Sequence, residues 1–244
     1  MFNGTFPTML RVLQQLKHDH RTIALLCFLP TVLLILLRYV FDKQEVVFDA
    51  IGPSLIALFP LITMFLVTSI ATQRERADGT LERLMATPLS KPGYLLGYAL
   101  AFSLMAVIQA TIVTAVSFTW LGLTILGPAP YLFAMALLVA VLGVALGLVA
   151  SALAKTEFQA VQFMPLFILP QLLLCGLLVP RENMASLLKT ISDFLPLSYV
   201  IEGLNELRTH PDVTTLFALD IIFVSLFVVG SLLLASFTLR RKSD

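Results

Sequence analysis

Six long apolar runs separated by short polar interruptions set the plan of the chain. Against the roughly twenty residues a helix needs to cross a bilayer, they predict spans at about 22–41, 50–72, 95–122, 130–154, 158–179 and 214–238. Ahead of them Phe6, Met9, Leu10, Leu13 and Leu16 recur at helical spacing, with Arg11, Gln14, Gln15 and Lys17 between them. That pattern predicts an amphipathic helix lying at the membrane surface. Pro30, Pro60, Pro165 and Pro170 fall inside spans and predict kinks, whose freed carbonyls need partners from neighbouring helices or side chains. Gly143, Gly147 and Ser151 repeat every four residues in the fourth span, a small-residue stripe suited to close helix approach.

Two polar interruptions carry more information than the rest. Between Gln73 and Gly93 six charges, Arg74, Glu75, Arg76, Asp78, Glu82 and Arg83, crowd into ten residues, while Leu81, Leu84 and Met85 sit at helical spacing. Asp78, Gly79 and Thr80 supply cap and turn chemistry and Pro88 restricts Thr87, so a short amphipathic helix is expected from about Thr80 to Ala86. From the residues alone this is either a docking surface or an ordinary solvated loop with internal charge pairs. In the second interruption, 180–213, Met184, Leu187, Leu188 and Ile191 form another amphipathic set that ends at Asp193 to Tyr199. Two short helices dipping into the outer leaflet fit that pattern.

Composition narrows the class. With 58% hydrophobic and 13% charged residues and a mean hydropathy of +0.93, the chain reads as an all-α polytopic membrane protein forming one domain over 1–244. Of its lysines and arginines, eleven fall on one side of the predicted topology and five on the other, which places both termini and the 73–93 loop in the cytoplasm. A net charge of +1 offers no field for nucleic acid. Cys27 and Cys175 lie in apolar runs as small hydrophobes, and His18, His20 and His210 are too far apart to complete a metal site. No phosphate loop, G-x-S-x-G or H-E-x-x-H motif occurs, so the chain is not expected to be an enzyme. Asp220 is the one ionisable residue well inside a predicted span; it is either packed near the outer interface against the hairpin or an ion site.

The run Arg74-Glu75-Arg76-Ala77-Asp78-Gly79-Thr80-Leu81-Glu82-Arg83-Leu84, followed by Thr87-Pro88-Leu89 and a new apolar span, resembles the cytoplasmic loop of the ABC type-2 permeases. The proline-punctuated fifth span, with Cys175-Gly176 and Val179-Pro180, and the hairpin after it resemble the same family. The chain departs from the family pattern at Cys175, where Ser is usual, and at Ala185, where Pro is often found.

The resemblance implies a layout of an N-terminal connecting helix over 1–21, spans one and two over 22–72, a coupling-helix loop over 73–93, spans three to five over 94–179, an outer re-entrant segment over 180–213 and a sixth span over 214–238. It implies a permease subunit of an ATP-driven exporter in the plasma membrane of a bacterium or archaeon. Two ATPase subunits would supply ATP and Mg2+ chemistry, and a second permease copy or a paralogue would complete the pathway within membrane lipid. Glu75, Asp78, Gly79, Thr80, Leu81, Glu82, Arg83, Leu84 and Pro88 would then couple to the ATPase. Since the second and fifth spans line the cavity in that family, Phe59, Thr63, Gln159, Phe163, Phe167 and Gln171 become candidates for substrate contact; ordinary helix packing explains the same stripe. The loop looks most like those of drug- and antibiotic-resistance permeases, which implies a hydrophobic, amphipathic or lipid-like substrate. A polysaccharide or glycolipid exporter, an ion-coupled carrier and a non-transporting scaffold are the alternatives.

Overall fold

A computed structural model describes residues 4–79 and 90–238. The helix expected from Thr80 to Ala86 and the basic residues Arg240, Arg241 and Lys242 lie outside the described residues. Every regular element among the described residues is helical: α1 (Thr5–His18), α2 (His20–Val40), α3 (Glu45–Ala77), α4 (Lys91–Thr119), α5 (Ala129–Leu153), α6 (Glu157–Leu174), a 3-10 turn (Arg181–Asn183), α7 (Ser186–Ser192), α8 (Pro196–Thr209) and α9 (Thr215–Thr238). Of these, α2, α3, α4, α5, α6 and α9 are long and apolar enough to cross a membrane.

Local chemistry explains the starts. The Asp19 side chain accepts from Thr22 N at 3.1 Å and from Thr22 Oγ1 at 2.6 Å, capping α2. These bonds favour the carboxylate and hold the Asp19 carboxyl below its usual range. Ser90 Oγ accepts from Gly93 N to cap α4, and Thr156 Oγ1 accepts from Gln159 N to cap α6.

Two spans differ from their expected bounds. The second, expected over 50–72, runs 33 residues from Glu45 to Ala77 and takes the charged Gln73 to Ala77 stretch into its last turns. These residues favour helix, and the chain leaves it only at Gly79, whose φ of 69° is the left-handed conformation that closes helices. The fifth, expected over 158–179, stops at Leu174 because Gly176 adopts φ 92°.

The core is built around α3 and α5. The stripe at Gly143 and Gly147 sits against the α3 backbone: a Cβ on Gly143 would collide with Leu61 O, and one on Gly147 would lie 2.7 Å from Phe65 O. Around this pair, α6, α8 and α9 contribute Ile168, Leu197, Leu204, Phe217 and Val224 to one buried cluster. A second cluster joins α1, α2 and α4 to the other end of α5. There α1 turns Thr8, Val12 and Leu16 inward, and Gly97 of α4 lets it approach so closely that a Cβ would lie 2.6 Å from Thr8 Cβ. Phe6 and Leu10 are exposed, because the α4 contact selects the Thr8 side of the helix.

The proline in α2 shows how a freed carbonyl is served from another helix. Pro30 has no N–H to donate to Leu26 O one turn earlier. Gln109 Nε2, from α4 and fully buried, donates to that oxygen at 2.7 Å and to Thr63 Oγ1 of α3 at 2.6 Å. Thr63 in turn donates to Phe59 O or Pro60 O, each 3.1 Å away. Replacing Gln109 by Leu is expected to cost about 1 kcal/mol, the scale of an interhelical hydrogen bond in a membrane protein. In a Pro30→Ala background the Leu26 carbonyl regains its helical partner, and the same substitution is expected to cost measurably less. Thermal unfolding of the four variants in detergent checks this; equal costs in both backgrounds would remove the Leu26 bond from the account.

Side chains also tie the connections at the α8 end. Arg181 donates to Ser192 Oγ and Glu202 Oε2 at 2.9 Å each, and to Asp193 Oδ1. Gly127 N donates to Leu207 O at 2.8 Å, fixing the 120–128 connection beside α8.

Candidate functional site

The last turns of α3 carry three consecutive charged residues, and successive helix positions are about 100° apart, so their side chains leave in three directions. Arg74 reaches α6: its Nε and Nη2 donate to Glu157 Oε1 and Oε2 at 3.0 Å each. Glu75 reaches α1, accepting from Arg11 Nη1 at 2.9 Å and Nη2 at 3.0 Å. Arg76 reaches the end of α5, donating to Ser151 O and to Gln73 Oε1. A cation there also meets the negative end of the α5 dipole. Arg11 adds α4 to the set, because its Nη2 donates to Tyr98 Oη at 3.1 Å. One helix end is thereby fastened to four other helices.

The fastenings differ in strength. The Arg74–Glu157 pair has side chains 58% and 42% exposed, and pairs in water contribute little. The Arg11–Glu75 pair is 27% and 13% exposed, bidentate and backed by the Tyr98 hydroxyl and ring, whose centroid lies 5.8 Å from the guanidinium. Burial works against the Arg11 charge, but Glu75 and Tyr98 outweigh it and the guanidinium holds its proton more firmly than usual.

Of the residues expected to couple to a partner, Glu75 is engaged within its own chain by Arg11. Asp78 is the exposed residue closing α3, and Gly79 is the left-handed residue after it. Thr80, Leu81, Glu82, Arg83, Leu84 and Pro88 lie outside the described residues.

The residues expected along a pathway separate into three environments. Thr63 is buried in the Gln109 knot between α2, α3 and α4. Gln159 accepts from Lys155 N at the start of α6. Phe163 and Phe167 pack together with ring centroids 6.0 Å apart, and Phe167 also meets Phe65 of α3 at 6.2 Å. Gln171 is buried and donates to Phe167 O of its own helix, while Phe59 is partly buried against the main core. The structure thus brings Phe163, Phe167 and Gln171 together and leaves Thr63 and Gln159 apart from them. Sequence reasoning missed Arg11, Tyr98, Gln109 and Ser151 as partners. For Gln109 a signal existed, a lone amide deep in an apolar span, but it does not name its partner; Arg11 sits among Gln14, Gln15 and Lys17 on the polar side of its helix and gave none.

These features define a polytopic helical membrane protein in which the longest span among the described residues ends in a charged foot. The chain belongs to the ABC-2 type transporter family, whose model matches residues 8–207. It is 32% identical over 147 residues to the probable multidrug ABC transporter permease YbhR of Escherichia coli K12, covering 60% of this chain and 40% of that protein. It is 21% identical over 208 residues to the probable multidrug ABC transporter permease YbhS of the same strain, covering 85% and 55%. The linearmycin resistance permease protein LnrN of Bacillus subtilis 168 is 26% identical over 151 residues, covering 62% and 38%. The matched stretches thus span about half or less of these relatives' own length.

Proposed function

We propose that this chain is the membrane-spanning permease subunit of an ATP-driven exporter that moves a hydrophobic or amphipathic molecule, a drug, antibiotic or lipid-like compound, out of the cytoplasm or the inner leaflet. The observation that carries this reading is the charged foot of α3. Residues 80–89 follow it directly in the sequence, and Arg74, Glu75 and Arg76 tie the foot to α6, α1 and α5. A push on that stretch by a partner is passed to three other helices at once, which is what conversion of ATPase closure into movement of the spans requires.

In this reading both termini and the loop face the cytoplasm, α1 lies at the inner interface, and α7 with α8 forms the outer hairpin. Two ABC ATPase subunits hold ATP and Mg2+, and this chain performs no hydrolysis. A second copy or a close paralogue completes the cavity in the plasma membrane, with Phe163, Phe167 and Gln171 on its wall. Glu75 acts through Arg11, while Leu81, Glu82, Arg83 and Leu84 meet the ATPase. The names of the relatives, multidrug and linearmycin resistance, support the substrate class.

The experiment is to purify this chain with a co-expressed ABC ATPase into lipid nanodiscs and measure ATP hydrolysis with a panel of amphipathic drugs. Stable association with drug-stimulated hydrolysis is expected. Failure of the two proteins to associate overturns the coupling role, and association without stimulation by drugs or lipids overturns the substrate class.

A further inference from the structure

Asp220, on α9, is 5% exposed, and its Oδ2 is buried without a hydrogen-bond partner. Its seat is made by a glycine. A Cβ built on Gly203 of α8 would lie 3.2 Å from Asp220 Oδ2, 2.9 Å from Met135 Cε of α5 and 3.3 Å from the Phe217 ring. The carboxyl therefore occupies a gap between α8, α5 and α9 whose other walls are apolar.

The charges around this gap do not neutralise a carboxylate. Among the described residues no cation forms an ion pair with Asp220, since Arg181 is bound to Asp193 and Glu202, and His210 faces Glu206 at 3.4 Å. From α8 come Glu202 and Glu206, flanking Gly203, together with Tyr199 and Arg208; α5 carries Tyr131 as its only titratable group; α4 carries Lys91, Tyr94 and Tyr98, at the opposite end of the bundle. An unpaired carboxylate in such a place is far costlier than a neutral carboxylic acid.

We propose that Asp220 is a proton-binding site whose protonation seats α8 against α9 and α5 and whose ionisation loosens that seat. The sign follows from the charge. Protonated, Asp220 is neutral and fits the gap. Ionised, it places an unpaired charge beside two glutamates in an apolar seat, so the packing of α8 weakens as pH rises. The loosening is local, because Tyr199 remains stacked on Phe223, 4.8 Å between centroids, and the Gly127–Leu207 bond holds the end of the helix. The site goes beyond the exporter reading and needs no ATPase to be observed.

The test is hydrogen–deuterium exchange of residues 196–209 in the full chain in nanodiscs, corrected for the intrinsic pH dependence of exchange. Protection is expected to fall by about tenfold or more between an acidic and an alkaline pH that bracket loss of the proton, since each pH unit beyond the midpoint of that loss weakens the protonated form tenfold. Asp220→Asn, which mimics the neutral acid, is expected to stay protected at both values. Infrared spectroscopy of the unaltered chain supplies a readout that does not depend on the variant's folding: a carboxylic acid carbonyl band that disappears over the same pH range. Unchanged protection in the unaltered chain, absence of such a band, or an Asp220→Asn variant that keeps the original pH dependence would each overturn the proposal.

Discussion

Gly143→Ala is expected to destabilise the protein by about 3 kcal/mol, the upper part of the range for overpacking a filled interior. The added methyl group meets the carbonyl of Leu61, a backbone atom of a neighbouring helix that cannot rotate away, so α3 and α5 must separate along their whole contact. Relief by a flexible side chain is not available there. Gly230→Ala provides the contrast, because a Cβ at that position meets nothing within 4 Å. There the better helix propensity of alanine is free to act, and stability is expected to rise by up to about 1 kcal/mol. Thermal unfolding of both variants in the same detergent decides the matter: a Gly143→Ala variant as stable as the unaltered protein, or more so, would show that glycine is not needed for the α3–α5 approach.

Glu75→Ala is expected to cost about 2 kcal/mol and to abolish most substrate-stimulated ATP hydrolysis. Removing one member of a buried pair strands the other, and losses of about 3 to 5 kcal/mol are typical where no water reaches it. Here the Arg11 side chain is 27% exposed, which moderates the loss. The double variant Arg11→Met with Glu75→Met leaves no stranded charge and is expected to recover most of the stability while leaving coupling impaired. That separation distinguishes a transmitting contact from a merely stabilising one. If the double variant restores stimulated hydrolysis together with stability, the pair has no part in transmission; if Glu75→Ala alters neither quantity, the fastening of α1 to α3 carries no energy.

What the sequence made legible was governed by short-range pattern. The six spans follow from apolar length, and the Gly143 stripe from its four-residue spacing. What escaped was set by contacts distant in the chain. Gln109 serves a carbonyl 83 residues away, and Arg11 meets a carboxylate 64 residues away. The packing face of α1 was not legible for the same reason: its Thr8, Val12 and Leu16 side is chosen by the gap at Gly97, 89 residues beyond Thr8. Charged residues 74 to 76 looked like loop because charge often marks the end of a span. Nothing in their backbone preferences stops a helix, and the terminator is Gly79.

The length of α3 has a mechanical consequence. Thirty-three residues at 1.5 Å each make a rod about 50 Å long, against a hydrocarbon layer of about 30 Å. A rod pivoted by about 10° at its middle carries its two ends about 4 Å each, in opposite directions. Its crowded contact with α5 at Leu61 and Phe65 lies near that middle and supplies the fulcrum, so a displacement passed through the guanidinium and carboxylate clasps at its foot would appear as an opposite displacement at the far surface.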